Sequence, residues 1–185
     1  LEYEKAARGS GVQPGDVGEY AWGATDIVPV EDISGPEDGT GTVATEGANA
    51  CYNDETFSGG DGGSGPLRSG IFATGSSTRH QAGAGYYGNM ELSGNLWERC
   101  VSLGAGAGRL FQGTHGDGLL SGEEGFEGNA TNSDWPGHSD GQGVIGSSGS
   151  GFRGGSWLVT DASLLSVSDR SRASMTSSAR ISDAG

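Results

Sequence analysis

Three histidines and two cysteines are the side chains in this sequence that could bind a transition metal or act as a nucleophile. His80, His115 and His138 stand alone, and Cys51 and Cys100 form no Cys-X-X-Cys or Cys/His cluster. A structural zinc site needs such closely spaced ligands, so the sequence predicts none. The two cysteines are compatible with one disulfide in an oxidising compartment or with two unrelated buried thiols.

Two other kinds of catalytic or nucleotide site are also absent from the sequence. Serine, histidine and aspartate are plentiful, but no Gly-X-Ser-X-Gly lies on the strand–turn–helix pattern of a hydrolase. The glycine-rich stretch 58–65 lacks the Lys-Ser/Thr pair of a phosphate-binding loop and has no strand–helix frame around it. We interpret that stretch as a turn.

The charge distribution restricts the partners of the chain. The formal net charge is -14, and residues 151–185 hold four Arg and three Asp, so the first 150 residues carry -15. Such acidity argues against nucleic-acid binding, which needs Lys and Arg to neutralise phosphates. It is compatible with Ca2+, which prefers carboxylate and carbonyl oxygens. The sequence has no apolar run long enough to predict a membrane span.

The elements that must position any site are few, because 38 of the 185 residues are glycine. Good helix formers predict a helix over residues 1–8, with Gly9 as its stop. From there to residue 85 we expect loops, with 19–23 and 71–73 as strands or buried anchors. A dense segment over 86–101 is followed by loop to residue 151. We expect one loop-rich α+β domain over residues 1–185, and we interpret the chain as a fragment.

The residues after the segment Gly151-Phe152-Arg153-Gly154-Gly155-Ser156-Trp157 form an unusual tail, 158–185. It is rich in Ser, Ala, Asp, Thr and Leu, has no aromatic residue, and shows neither helical nor strand periodicity. Arbitrary side chains after a fixed motif favour a binding surface with interchangeable contact residues. The alternative is that the tail is ordinary framework strand and loop.

Five motifs in order give the chain a family resemblance. It resembles the formylglycine-generating-enzyme (sulfatase-modifying factor) family through Glu4-Lys5-Ala6-Ala7-Arg8-Gly9, Tyr20-Ala21-Trp22-Gly23, Asn49-Ala50-Cys51, Gly94-Asn95-Leu96-Trp97-Glu98 and Arg153-Gly154-Gly155-Ser156-Trp157. The resemblance covers nearly the whole chain and implies a C-type-lectin-like fold, with the N-terminal part of the domain missing here.

Within that family the chain is most similar to the variable proteins of diversity-generating retroelements. Segments 93–99, 113–118, 151–157 and 167–170 carry this likeness. It implies a non-catalytic protein that binds a protein or glycan ligand at a cell surface, outside the cell or on a phage particle. By this resemblance the tail is the variable region. A surface with replaceable contacts needs a fixed frame, and we expect Trp157, Arg170 and Arg180 to anchor it through packing and bidentate hydrogen bonds. The displayed contact residues would be Leu158, Val159, Thr160, Asp161, Ala162, Ser163, Leu164, Ser171, Arg172, Ser174, Met175, Thr176, Ser177, Ser178, Ile181, Ser182, Asp183 and Ala184.

The enzymes of the family use two cysteines shortly after the Gly-Gly-Ser motif to bind copper. Aligned from that motif, those positions hold approximately Val159 and Leu164, and no cysteine follows Cys100. Without a thiolate there is no ligand for Cu(I), so we expect no catalytic cofactor and no enzyme activity. The alternatives are a divergent copper oxidase of the same fold or a structural adhesive module.

The same resemblance implies a structural Ca2+ site around the Gly-Asn-Leu-Trp-Glu motif. Its ligands would be the side chains of Glu91 and Glu98 and the carbonyl oxygens of Gly94 and Leu96. The alternative is that Glu98 only accepts hydrogen bonds from loop N–H groups. A second site of the family would use Asn49 and the Ala50 carbonyl.

Overall fold

The computed structural model describes residues 2–11, 15–36, 38–54, 65–114, 116–175 and 183–184. The described part is a mixed, loop-rich structure with short strands, as an α+β chain so rich in glycine would be. Its α-helices, within the described ranges, are α1 (Glu2–Arg8) and α2 (Gly106–Arg109). The strands are β1 (Ile33–Ser34), β2 (Thr42–Val43), β3 (Glu98–Val101), β4 (His138–Ser139), β5 (Gly143–Val144) and β6 (Ser150–Arg153), and a 3-10 helix spans Ala162–Leu165.

The N-terminal helix confirms the prediction from the sequence. Glutamates lie in its first turn and Lys5 and Arg8 in its last turn, which suits the helix dipole. The chain leaves the helix at Gly9, whose N–H donates to the Lys5 carbonyl at 2.8 Å and whose φ is 82°. Only glycine adopts that backbone readily, so the expected stop is also confirmed.

Contacts divide the chain into two compact units. The first comprises the described residues of Leu1–Glu98, Arg153–Asp169 and Ile181–Gly185. Its core contains a cluster of Val30, Ala48, Cys51, Leu67 and Phe72. Strands β1 and β2 pair antiparallel beside this cluster, with Ile33 opposite Val43.

The second unit comprises Arg99–Phe152 and the described residues of Arg170–Arg180. Strands β4 and β5 form an antiparallel pair with His138 opposite Val144. Strands β3 and β6, most of whose residues belong to this unit, also pair. The sequence predicted only loop for much of this region, and these short elements are a correction. Two-residue strands leave too little alternation to detect in a sequence.

The segments 19–23 and 71–73 are buried anchors and not strands. Tyr20, Trp22 and Phe72 are buried, but each segment is closed by local turns, such as the Gly23 N–H donating to the Tyr20 carbonyl. The glycine-rich stretch 58–64 and His115 lie outside the described residues. Among the described residues, the helices are too short and too polar to cross a membrane.

Candidate functional site

The Gly154-Gly155 pair brings three segments of the first unit into close contact. The Gly154 carbonyl accepts from the Gly94 N–H at 2.7 Å. A Cβ on Gly154 would lie 2.5 Å from the Leu92 carbonyl oxygen, and one on Gly155 would lie 2.7 Å from Leu165. Both glycines also have positive φ. No other residue type fits this approach without moving its neighbours.

Arg153 is the buried cation that holds the start of the tail to the N-terminal helix. Its guanidinium lies 4.7 Å from the centroid of the Tyr3 ring and 3.5 Å from a Glu4 carboxylate oxygen. It also donates to the Val167 carbonyl oxygen. Arginine suits this position because its planar fork can stack and donate in several directions. Nothing in the sequence around Arg153 indicates this role, because it depends on contacts with Tyr3, Glu4 and Val167.

The structure describes two of the three anchors expected from the sequence, Trp157 and Arg170. Trp157 is partly buried against the apolar cluster of the first unit, and its backbone N–H donates to the Asn95 carbonyl at 2.8 Å. Its anchoring role therefore has structural support. Arg170 is exposed, and Arg180 lies outside the described residues.

The first stretch of the tail alternates between outward and inward side chains. Thr160, Asp161 and Ser163 are exposed and Leu158 is 44% exposed, whereas Val159 is only 8% exposed. Ala162 and Leu164 are half-buried. Burial removes Val159 from the outward-facing set expected from the sequence, because its side chain packs inward.

A 3-10 helix shapes this stretch and ends in fully buried residues. The Asp161 carboxylate accepts from the Ser163 N–H at 2.9 Å, and hydrogen bonding from the Ser163 hydroxyl, together with that N–H, lowers the pKa of Asp161. Leu165 and Val167 are 0% exposed. The Leu165 carbonyl accepts from the buried Ser93 hydroxyl at 2.8 Å. The outward residues therefore lie on a segment whose end is fixed in the core.

The remaining displayed residues divide between the two units. Ser171, Ser174 and Met175 are exposed and Arg172 is half-buried in the second unit, where the Arg172 carbonyl accepts from the Phe152 N–H at 2.9 Å. Thr176, Ser177, Ser178, Ile181 and Ser182 lie outside the described residues.

Asp183 and Ala184 belong to the frame of the first unit. The Asp183 carboxylate accepts from the hydroxyl of Ser156 at 3.0 Å, and Ser156 is fully buried. The Asp183 carbonyl accepts from the Trp97 N–H at 2.8 Å, and Ala184 forms a parallel bridge with Trp97. A carboxylate held in this way is required by the fold, which does not suit an interchangeable contact residue.

We therefore expect Asp183→Ala to destabilise the first unit by about 1–3 kcal/mol, because it leaves a buried hydroxyl without its acceptor. Asp183→Asn is the matched control, since it keeps an acceptor oxygen and should lose less. Urea unfolding followed by tryptophan fluorescence measures both. Equal stability of Asp183→Ala and the unmodified chain would contradict the assignment of Asp183 to the frame.

The structure brings the two carboxylates of the expected calcium site near each other. Burial raises the pKa of Glu91 to about 7, the Gly70 N–H bond at 2.9 Å opposes that rise, and the Glu98 charge adds to it. Burial also raises the pKa of Glu98. Two neighbouring carboxylates with raised pKa values would gain from a cation that neutralises them.

The donor set of this loop fits a hard cation such as Ca2+. In the described ranges, no backbone N–H donates to the carbonyl oxygens of Gly94 or Leu96. Carbonyl oxygens and carboxylates that follow one another along a loop are the ligands that Ca2+ prefers. No described cluster of three or more His, Cys, Asp or Glu side chains could hold a metal, so carbonyl oxygens or water would have to complete the shell.

Two non-glycine residues in this loop have a left-handed backbone. Glu91 has a φ of 65° and Asn95 a φ of 67°. Asparagine tolerates this conformation, and the Asn95 amide also accepts from the Leu67 N–H and donates to the Leu67 carbonyl, at 2.8 and 3.0 Å. Glutamate has no such tolerance, so the backbone at Glu91 is strained. No sequence pattern signals this feature.

The polar groups expected at the second family site already have backbone partners. The buried Asn49 side-chain oxygen accepts from the Val28 N–H at 3.0 Å, and the Ala50 carbonyl accepts from the Val30 N–H at 3.0 Å. These contacts hold neighbouring loops together, which is a structural role.

The cysteines and histidines show no arrangement typical of catalysis in the described part of the chain. Cys51 is buried, Cys100 is half-buried, and both are thiols. His80 pairs with the Asp26 carboxylate at 2.7 Å and packs edge-on against Trp22. Val159 and Leu164, at the aligned copper-ligand positions, carry no thiolate.

Comparisons with protein-family models, curated proteins and solved structures find no match to this chain. The family resemblance and the roles that it implies therefore stay predictions.

Proposed function

We propose that the chain is a non-catalytic ligand-binding protein that displays replaceable residues of its tail on a fixed frame. It would be a variable protein of a diversity-generating retroelement with a C-type-lectin-like fold of the formylglycine-generating-enzyme type. The observation that carries the proposal is the alternation in residues 158–165. Exposed Leu158, Thr160 and Ser163 lie beside buried Val159 and Leu165, so contact residues could change while the core stays the same.

The frame beneath this stretch gives the proposal a physical basis. Arg153, the double glycine and the Ser156–Asp183 hydrogen bond fix the backbone on which the outward side chains stand. A rigid scaffold that presents small, adaptable side chains is the arrangement that antibody loops use. The ligand would be a protein or a glycan, and the location a cell surface, the extracellular space or a phage particle.

A non-catalytic role is supported by the chemistry of the tail. Residues 158–175 offer hydroxyl, carboxylate, guanidinium and thioether groups but no thiolate, and Cys51 is buried elsewhere in the first unit. Copper-dependent oxidation of a cysteine-containing peptide by the purified chain would contradict this part of the proposal.

The structural metal belongs to the same proposal. Glu91 and Glu98, with the carbonyl oxygens of Gly94 and Leu96, would hold Ca2+. When bound, the ion would neutralise the two buried carboxylates and cross-link the loop that packs against Gly154. It would have no part in catalysis.

The most direct test of diversification is the sequence of the locus in sibling isolates. The proposal expects substitutions concentrated after Trp157, at positions copied from adenines in a near-identical template repeat, with a reverse transcriptase gene nearby. Substitutions spread evenly over the chain, or the absence of both neighbouring elements, would contradict it. An adhesive module without diversification would lack both the template repeat and the reverse transcriptase gene.

A pair of identical substitutions tests the division between frame and display. Leu158→Ala should change the free energy of unfolding by no more than about 0.5 kcal/mol, because that side chain is exposed. Leu165→Ala should cost about 2–5 kcal/mol, because the same change empties a fully buried position. Urea unfolding measures both variants. Similar losses in the two variants would show that the stretch has no separate display face.

A further inference from the structure

Two consecutive tyrosines are exposed on the first unit. Tyr86 is 55% exposed and Tyr87 is 65% exposed. Their rings meet edge to face, with centroids 5.0 Å apart and planes at 79°. Large exposed aromatic surfaces are common at binding sites, because each ring offers an apolar face and a polar hydroxyl.

The Tyr86 ring is held in place from behind. Its backbone N–H donates to the Ala7 carbonyl at 2.8 Å, and the ring lies so close to Gly9 that a Cβ there would be 2.6 Å from it. The Arg79 guanidinium lies 5.6 Å from the ring centroid. A ring fixed in this way loses little conformational entropy when a ligand stacks on it.

Arg79 is itself fixed by backbone carbonyls. Its Nη2 donates to the carbonyls of Ala7 and Ala21 at 2.8 and 2.6 Å, and its Nε donates to the Ala84 carbonyl at 3.2 Å. Most of its donor capacity is therefore used inside the protein. It supports the ring, and it is poorly placed to recognise an anionic ligand.

A shallow cleft of about 270 Å³ adjoins Tyr86. Its walls include three residues with hydroxyl groups, Thr74, Ser77 and Thr78. The hydroxyls of Thr74 and Ser77 lie 2.9 Å apart, and that of Thr78 donates to Gln81 at 3.1 Å. These local bonds occupy the hydroxyl protons, but a hydroxyl oxygen has two lone pairs, so the rim can still accept hydrogen bonds from a ligand that carries hydroxyls itself.

We propose that this cleft, with Tyr86 as its platform and Tyr87 beside it, binds a neutral saccharide. A pyranose ring presents an apolar C–H face for stacking on an aromatic ring and equatorial hydroxyls for a hydroxyl rim. The strongly acidic chain disfavours anionic sugars. A proline-rich peptide is the other common ligand of exposed tyrosines, but its carbonyls only accept hydrogen bonds. The Ser77 and Thr78 hydroxyls already donate to the Phe72 carbonyl and to Gln81, so they suit a ligand that can donate to them.

This site goes beyond the proposed function, since none of the tail residues that the structure describes lines the cleft. The test is binding of the full chain to an array of neutral mono- and oligosaccharides, followed by titration calorimetry with the best of them as a free sugar. We expect Tyr86→Ala to weaken that binding about tenfold or more, the loss of one aromatic contact. Tyr86→Phe should retain most of it, because the ring remains.

Two further variants keep the test decisive if Tyr86→Ala folds poorly. Tyr87→Ala should weaken saccharide binding in a folded protein. Val17→Ala, at a 97% exposed position of the first unit that neither lines the cleft nor belongs to the tail, should leave it unchanged. The proposal is overturned if no neutral saccharide binds, if Val17→Ala weakens binding as much as Tyr87→Ala, or if a proline-rich peptide binds in the cleft and no sugar does.

Discussion

In calcium-depleted buffer, the protein should lose about 3 kcal/mol of stability through Glu91 alone as the pH rises from about 4.5 to above 7. Burial raises the pKa of this carboxyl from its ordinary 4.5 to about 7 in the folded chain. Below pH 4.5 the carboxyl is protonated in both states, and its full contribution is present. Between the two values the unfolded chain releases its proton while the folded chain keeps it, so rising pH favours unfolding.

The measurement is urea unfolding at several pH values, for the unmodified chain and for Glu91→Gln. The glutamine stays neutral and keeps an oxygen for the Gly70 N–H, so the difference between the two proteins isolates the charge. Exposed Glu46→Gln is the control and should follow the unmodified chain. Identical pH profiles for the unmodified chain and Glu91→Gln would show that Glu91 is not the source.

Adding Ca2+ should reverse this loss above pH 7. A cation that binds only the folded chain stabilises it by about 2.7 kcal/mol at a hundred times its Kd. The gain should shrink as the pH falls and Glu91 takes up its proton, and both Glu91→Gln and Glu98→Gln should reduce it. If stability fell with rising pH and Ca2+ did not restore it, the buried Glu91 carboxylate would explain the fall. The metal site would then be excluded.

Arg153→Met should destabilise the first unit by about 3–5 kcal/mol, the usual effect of removing one partner from a buried ion pair. The change leaves the Glu4 carboxylate and the Val167 carbonyl without their donor and removes the cation from the Tyr3 ring. Arg153→Lys should recover only part of the loss, because an ammonium cannot stack and donate along the same directions.

Glu4→Gln is the matched control for Arg153→Met. It removes the charge of the more accessible partner of the ion pair and keeps an oxygen that can accept from Arg153. The loss in the free energy of unfolding should therefore be much smaller. Urea unfolding of the three variants gives the order. If Arg153→Met stayed within about 1 kcal/mol of the unmodified chain, Arg153 would not be the anchor of the tail.

How much of the fold the sequence predicts depends on the range of the interactions. The helix over Glu2–Arg8 and its stop at Gly9 are local, and composition alone predicts them. Burial of Trp22 and Phe72 also follows from their apolar side chains. Their segments are not strands, because turns closed by nearby glycines replace a sheet there.

The candidate site was less predictable, since its contacts join residues far apart in sequence. Arg153 pairs with Glu4 across 149 positions, and Ser156 pairs with Asp183 across 27. Nothing local distinguishes Asp183 from the other small polar residues of the tail, so composition placed it among the replaceable ones. The sequence around Val159 likewise gives no sign that its side chain packs inward, where it is only 8% exposed.

The left-handed backbone at Glu91 adds a conformational penalty to the electrostatic one. Glycine or asparagine would occupy a φ of 65° with less strain, and neither would bury a charge there. In the metal-free chain above pH 7, the two penalties fall on the same residue. A bound cation would offset the buried charge but not the backbone strain, so the strain would lower the affinity of the loop for that cation.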